Sequence, residues 1–126
     1  MTKYKEHILV GYLFDIQNIR LLNNAEGLRR LVRKIGEKSN ATVFGTHIKK
    51  YPGGGINAVA DIGESVIVIQ SWPERRYASA IIHSSYSGVK LREGIEYAIR
   101  RLQPGNCIID ERIGPDVPPI VEENLI

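Results

Sequence analysis

Apolar and β-forming residues fill His7 to Phe14 (His-Ile-Leu-Val-Gly-Tyr-Leu-Phe), which predicts a central strand. After Asn23, Asn24 and Ala25 the period becomes helical. Leu28, Leu31, Val32 and Ile35 recur at i, i+3, i+4 and i+7 as one apolar stripe, with Gly36 and the Ser39-Asn40 pair marking its end. Ala41 to Ile48 predicts a second strand. Tyr51-Pro52-Gly53-Gly54-Gly55 breaks the pattern most sharply and reads as a loop. Ile56 to Ile62 predicts a third strand, and Gly63-Glu64 a turn. Val66 to Ile69 is an unbroken β-branched run, the signature of a buried strand, and Trp72 to Arg76 ends it. Tyr77 to Ser84 predicts the next strand. A second helix places Leu91, Ile95, Ala98, Ile99 and Leu102 on one stripe and stops at Pro104-Gly105. Cys107 to Asp110 predicts a last strand, and the Pro-rich, acidic tail from Gly114 is expected to be irregular.

This order predicts one α/β (α+β) domain over residues 1–126. It is expected to be a two-layer sandwich of an antiparallel or mixed sheet with two helices on one face. The strands are apolar on both sides, whereas two helices cover only one. A homodimer packing sheet on sheet or edge on edge would cover the rest.

Composition is that of an ordinary globular chain, 43% hydrophobic and 25% charged. No apolar run approaches the roughly 20 residues that span a bilayer, and the N-terminus lacks the apolar stretch of a signal peptide. No membrane association and a cytoplasmic location are therefore expected. The single cysteine, Cys107, excludes a disulfide framework or a cysteine zinc site within one chain and reads as a buried small hydrophobe. No His/Asp/Glu pair has metal-ligand spacing, so no metal is expected, and His7 and His47 carry no site argument. The net charge is +3. Arg29, Arg30, Arg33, Lys34 and Lys38 form one basic cluster, and Arg100 and Arg101 another. Both fall on helix-like segments without exposed aromatics or a Gly-rich loop. They read as solvated helix faces, and a nucleic-acid partner is not expected.

The chemistry concentrates in Glu64-Ser65-Val66-Ile67-Val68-Ile69-Gln70-Ser71-Trp72-Pro73-Glu74, followed by Tyr77-Ala78. This stretch resembles the core signature of the prokaryotic-type S-adenosylmethionine decarboxylases. That signature runs Glu-Ser-His, then His-Thr-Trp-Pro-Glu, then Tyr-Ala and a strand ending in Thr-Cys-Gly. The resemblance extends without gaps from His-Ile-Leu-Val at the start to Asp110-Glu111-Arg112, roughly 100 residues, the size of a domain. It implies a proenzyme. Ser65 would attack the carbonyl of Glu64, the resulting ester would eliminate, and Ser65 would become a pyruvoyl group at a new N-terminus. That ketone forms a Schiff base with the amine of a small-molecule substrate and draws electrons as CO₂ leaves. By resemblance the product serves spermidine synthesis, and related amino acids such as arginine or ornithine are alternative substrates.

Some matched positions depart from the family. The histidine that moves a proton during self-cleavage is Gln70, which hydrogen-bonds but does not titrate near neutrality. The cysteine that reprotonates substrate is Ser85, a far weaker acid. The processing serine is Asn57, which can still donate to an oxyanion. His83 lies two residues before Ser85, on the same face of a strand, and is a candidate replacement proton donor. The alternative for His83 is an imidazole satisfied by backbone at a strand end. On the substrate side, Tyr51 matches an adenine-stacking aromatic and Glu74 a ribose-binding glutamate, with Trp72 beside it. Core packing is the alternative for Trp72, a charge cluster with Arg75 and Arg76 for Glu74, and a turn serine for Ser65. Two functions follow: a self-cleaving decarboxylase, or an uncleaved paralogue that binds a ligand or partner subunit.

Overall fold

The computed structural model describes residues 4–120. Its elements are β1 (Tyr4–Ile16), α1 (Ile19–Leu22), α2 (Ala25–Lys38), β2 (Gly45–Lys50), β3 (Ile56–Asp61), β4 (Val66–Trp72), β5 (Tyr77–Tyr86), α3 (Leu91–Leu102) and β6 (Pro104–Asp116). The strands form one six-stranded sheet in the order β2-β3-β4-β5-β1-β6. Every neighbouring pair is antiparallel, so nothing in the sheet is mixed.

Residues alternate between the two faces, as the strand period requires. Leu9 and Leu13 of β1, Ile67 and Ile69 of β4, and Ala78, Ala80 and Ile82 of β5 are buried on the helix side. Leu28, Leu31, Val32 and Ile35 of α2 and Leu91, Ile95, Ala98 and Leu102 of α3 close this core from above. A small residue lets the two long helices approach: a Cβ on Gly94 of α3 would overlap Oγ of Ser39, which caps α2. The other face carries Val10, Tyr12, Val68, Gln70, Trp72, Tyr77, Ile81 and His83, none of them fully buried. No described element of the chain covers it.

Several boundaries differ from the sequence expectation. Asn24 caps α2 by accepting from Gly27 N at 3.0 Å. The helix runs through Gly36, which is buried against Val43, and ends at Ser39, with Asn40 in the left-handed region at φ 62°. The strand expected from Ala41 begins only at Gly45; residues 41–44 instead bond back, Ala41 N to Gly36 O and Phe44 N to Asp61 O. β5 runs on to Tyr86. β6 starts at Pro104 and continues through Gly114 to Asp116, because the long β1 lies alongside as a template. The end of the tail expected to be irregular, residues 121–126, lies outside the described residues. Cys107 is half-buried against the core rather than fully buried.

Candidate active site

β3 and β4 form a hairpin whose last pair is Asp61 and Val66, so Ile62 to Ser65 make a tight turn. Gly63 sits at φ +88°, and its N–H donates to Asp61 Oδ1 at 3.0 Å. Ile62 N donates to Ser65 O at 3.1 Å. Glu64 is exposed, while Ser65 is 7% exposed. From the end of β5, Ser85 Oγ donates to the carbonyl oxygen of Glu64 at 3.1 Å. A donor therefore already polarises the carbonyl that Ser65 would attack.

His83 is the direct strand partner of Val66, the residue after Ser65. It shares the open face with Ser85, and its Nε2 lies 3.2 Å from Glu6 Oε1. The backbone-satisfied alternative for His83 gives way to a carboxylate partner. Glu6 was not singled out in the sequence, because only the pairing of β1 with β5 brings it here. The neighbouring Ser84 takes no part: it is buried, and its hydroxyl bonds the backbone of Tyr86.

A second cluster forms at the opposite end of the hairpin. Asn57 and Gln70 are direct strand partners, and Gln70 also faces Ser79. Asn57 Nδ2 donates to Tyr51 Oη at 3.1 Å, and the ammonium of Lys49 lies 5.4 Å from the Tyr51 ring centroid. Tyr51, Asn57, Gln70, Trp72 and Glu74 line a cleft of about 290 Å³. Trp72 is 38% exposed, so it is not core packing. Glu74 makes no ion pair with Arg75 or Arg76 among the described residues. Two glycines of the Tyr51–Gly55 loop hold a backbone conformation that other residues rarely adopt. Gly53 and Gly54 hold φ of 94° and 103°, and Gly54 lies against the Glu74 carboxylate, where a Cβ would be 3.6 Å from Oε2. Asn57 Oδ1 is buried without a hydrogen-bond partner at the cleft wall. Burial, and then the neighbouring Tyr12, push the Tyr77 hydroxyl above its ordinary pKa; Tyr77 is the strand partner of Trp72.

The nine candidate residues thus fall into two groups within one chain. Glu64, Ser65, Ser85 and His83 gather at one end of β4. Tyr51, Asn57, Gln70, Trp72 and Glu74 gather toward the other. Ser65 and Gln70 stand roughly 17 Å apart along the strand, at about 3.3 Å per residue. The first group fits a pyruvoyl precursor, since its serine is buried in a turn beside a carbonyl that already accepts a hydrogen bond. Among the described residues, no group of three or more His, Cys, Asp or Glu side chains could hold a metal ion.

The family model described as S-adenosylmethionine decarboxylase matches residues 9–112. An S-adenosylmethionine decarboxylase proenzyme of Sulfolobus acidocaldarius is 30% identical over 101 residues, 80% of this chain and 81% of that protein. An arginine decarboxylase proenzyme of Ignicoccus hospitalis is 28% identical over 112 residues, 86% of this chain and 77% of that protein. The crystal structure of the adenosylmethionine decarboxylase of Aquifex aeolicus shares the fold, with a TM-score of 0.75 over 98% of both chains at 22% identity. The resemblance read from the Glu64-to-Glu74 segment is borne out: the chain belongs to the S-adenosylmethionine decarboxylase family, decarboxylases made as proenzymes whose reactive carbonyl is a pyruvoyl group derived from a serine.

Proposed function

We propose that this chain cuts itself between Glu64 and Ser65 and then decarboxylates S-adenosylmethionine or a related cationic amino acid, supplying polyamine synthesis. The hydrogen bond from Ser85 to the Glu64 carbonyl carries the reading. As Ser65 Oγ adds to that carbonyl carbon, charge develops on the oxygen that Ser85 already holds. The C–N bond then breaks, the hydroxyl proton ends on the Ser65 nitrogen, and an ester remains. Loss of the Ser65 Cα proton and cleavage of its Cβ–Oγ bond release the Glu64 carboxylate. Water hydrolyses the resulting enamine, ammonia leaves, and the ketone is left. His83, oriented by Glu6, is the titratable group placed to move these protons.

The pyruvoyl group, once formed, supplies the electron sink for loss of CO₂. The chain's own residues bind and orient. Glu74 offers a carboxylate and Tyr51 and Trp72 offer π-faces to a cation. The named relatives include both S-adenosylmethionine and arginine decarboxylase proenzymes, which supports a cationic α-amino acid as the substrate class. His83 or Ser85 returns a proton to the product carbon.

The proposal includes a homodimer. His83 and Ser85 of one group, and Asn57, Gln70 and Trp72 of the other, lie on the uncovered sheet face, toward opposite ends of β4. A two-fold axis through that face would bring the Ser65 group of one protomer onto the Glu74 cleft of its partner. It would also bury the aromatic and aliphatic residues no helix covers. No helix of the described residues is long and apolar enough to cross a membrane, and a cytoplasmic location fits this chemistry.

Mass measurement under denaturing conditions tests the reading. Two fragments divided between Glu64 and Ser65, the second reactive to carbonyl reagents, are expected. A single intact, unreactive chain would overturn it and leave the uncleaved, ligand- or partner-binding paralogue. That second reading is favoured by one observation: neither Gln70 nor Asn57, the processing positions, can carry a proton.

A further inference from the structure

We propose that the cleft where α1, α2 and α3 meet binds a small phosphate-bearing polyanion. Along the sequence, the basic residues form separate clusters on separate helices. In the fold, Arg20 of α1, Arg30 and Lys34 of α2, and Arg101 of α3 converge on one cleft of about 460 Å³, with Tyr97 and Asn18 in its wall. No carboxylate lines it. Among the described residues, no ion pair engages Arg20, Arg30 or Arg101; Lys34 has only an exposed contact with Glu37 at 3.5 Å. The contrast with Arg29 is informative. That side chain, one residue away, is tied to Glu26 at 2.9 Å and Thr46 at 3.1 Å and points elsewhere.

Four cations facing one concavity repel each other, and Arg30 and Lys34 do so again at i, i+4 on one helix. An anion bridging them removes that repulsion. Arginine forks match phosphate oxygens two at a time, and three arginines from three helices favour several phosphate oxygens over one point charge. The cleft is lined by residues within 18–34 and 97–101 and shares none with the Glu74 cleft. Its positive charge opposes the cationic α-amino acid proposed for the Glu74 cleft, so it is a separate site.

The test uses the full chain and two probes, tripolyphosphate and ATP, at fixed ionic strength. Both should raise the melting temperature and bind measurably by calorimetry, whichever the physiological source. Equal responses assign recognition to the phosphates, and a stronger ATP response adds a nucleoside contact. The variant Arg30→Gln/Arg101→Gln should weaken binding about tenfold or more through lost charge-assisted hydrogen bonds, while its Glu64–Ser65 processing state, compared with wild type as a control for folding, stays the same. Three results would overturn the proposal. One is an equal shift from sodium sulfate at matched ionic strength. Another is undiminished binding by the variant. The third is a single-stranded oligonucleotide that binds more tightly per phosphate than tripolyphosphate, which would make the surface a nucleic-acid one.

Discussion

Ser85 Oγ and the Glu64 carbonyl oxygen are 3.1 Å apart although the residues are 21 positions apart in sequence. Ser85→Ala removes that donor, and loss of one oxyanion donor typically slows such a step by about 10²–10³-fold. Self-cleavage followed by denaturing mass spectrometry should show that slowing, with Ser65→Ala uncut as the reference. Ser85→Cys keeps a donor and supplies a stronger acid, so it should still cleave and should raise kcat. Wild-type cleavage by Ser85→Ala would detach Ser85 from the processing step.

His83 and Glu6 form an imidazole–carboxylate pair beside the cleavage turn, with Nε2 3.2 Å from Oε1. His83→Ala should lower turnover on the order of 10²-fold or more, the usual size of a general acid–base contribution. Glu6→Gln should act through the imidazole, shifting the acid limb of the pH–rate profile. An unchanged profile in Glu6→Gln and unchanged turnover in His83→Ala would reduce the pair to a surface ion pair.

The proposed division of the site between two copies makes a genetic prediction. Ser65→Ala protomers lack the ketone, and Glu74→Ala protomers lack the binding carboxylate. Either variant alone should be impaired. Co-expressed, they should recover roughly a quarter of wild-type sites, because half of random dimers are mixed and each holds one complete site. No recovery in dimers shown by mass to be mixed would place both groups in one protomer.

Gly94→Ala should destabilise the fold by about 1–3 kcal/mol, the usual cost of overpacking. The new Cβ would press on Ser39 Oγ, whose hydroxyl is buried and donates to Ile35 O at 2.7 Å. Urea midpoints of variant and wild type measure this directly.

Glu111 links the edge strand to its neighbours. Its carboxyl is held below the usual carboxylate range by the hydrogen bond from His7 at 2.7 Å, with the Arg92 guanidinium adding to the effect and burial opposing it. A carboxyl depressed in the folded state stabilises above its unfolded pKa, and that contribution disappears as pH falls through the folded value. Wild type should therefore lose stability from about pH 4 downward more steeply than Glu111→Gln. Parallel urea midpoints across that range would refute the linkage.

The helix stripes and strand alternation were legible because burial on one face imposes a period on the residues themselves. Leu28 to Ile35 and Val66 to Ile69 show it plainly. Boundaries were less legible where pairing or packing overrules composition. β6 runs through Gly114 because β1 continues beside it, and Gly36 stays helical because α2 needs a small residue against Val43. The site residues were legible only through the Glu64-to-Glu74 pattern. Their separation into two groups follows from strand register, and Glu6 enters through the pairing of β1 with β5. Neither leaves a local mark.

The strand order has a consequence for the proposed cut between Glu64 and Ser65. The piece ending at Glu64 carries β1, β2 and β3; the piece beginning at Ser65 carries β4, β5 and β6. Across the sheet they interleave, with β1 wedged between β5 and β6 and β4 laid against β3. Severing the turn therefore leaves the folded body in place, as a braid holds when one loop is snipped. Unfolding is another matter. The two pieces drift apart, and β1 must find its slot again by diffusion, so recovery should slow with dilution. Maturation would convert a chain that can refold by itself into one assembled only once.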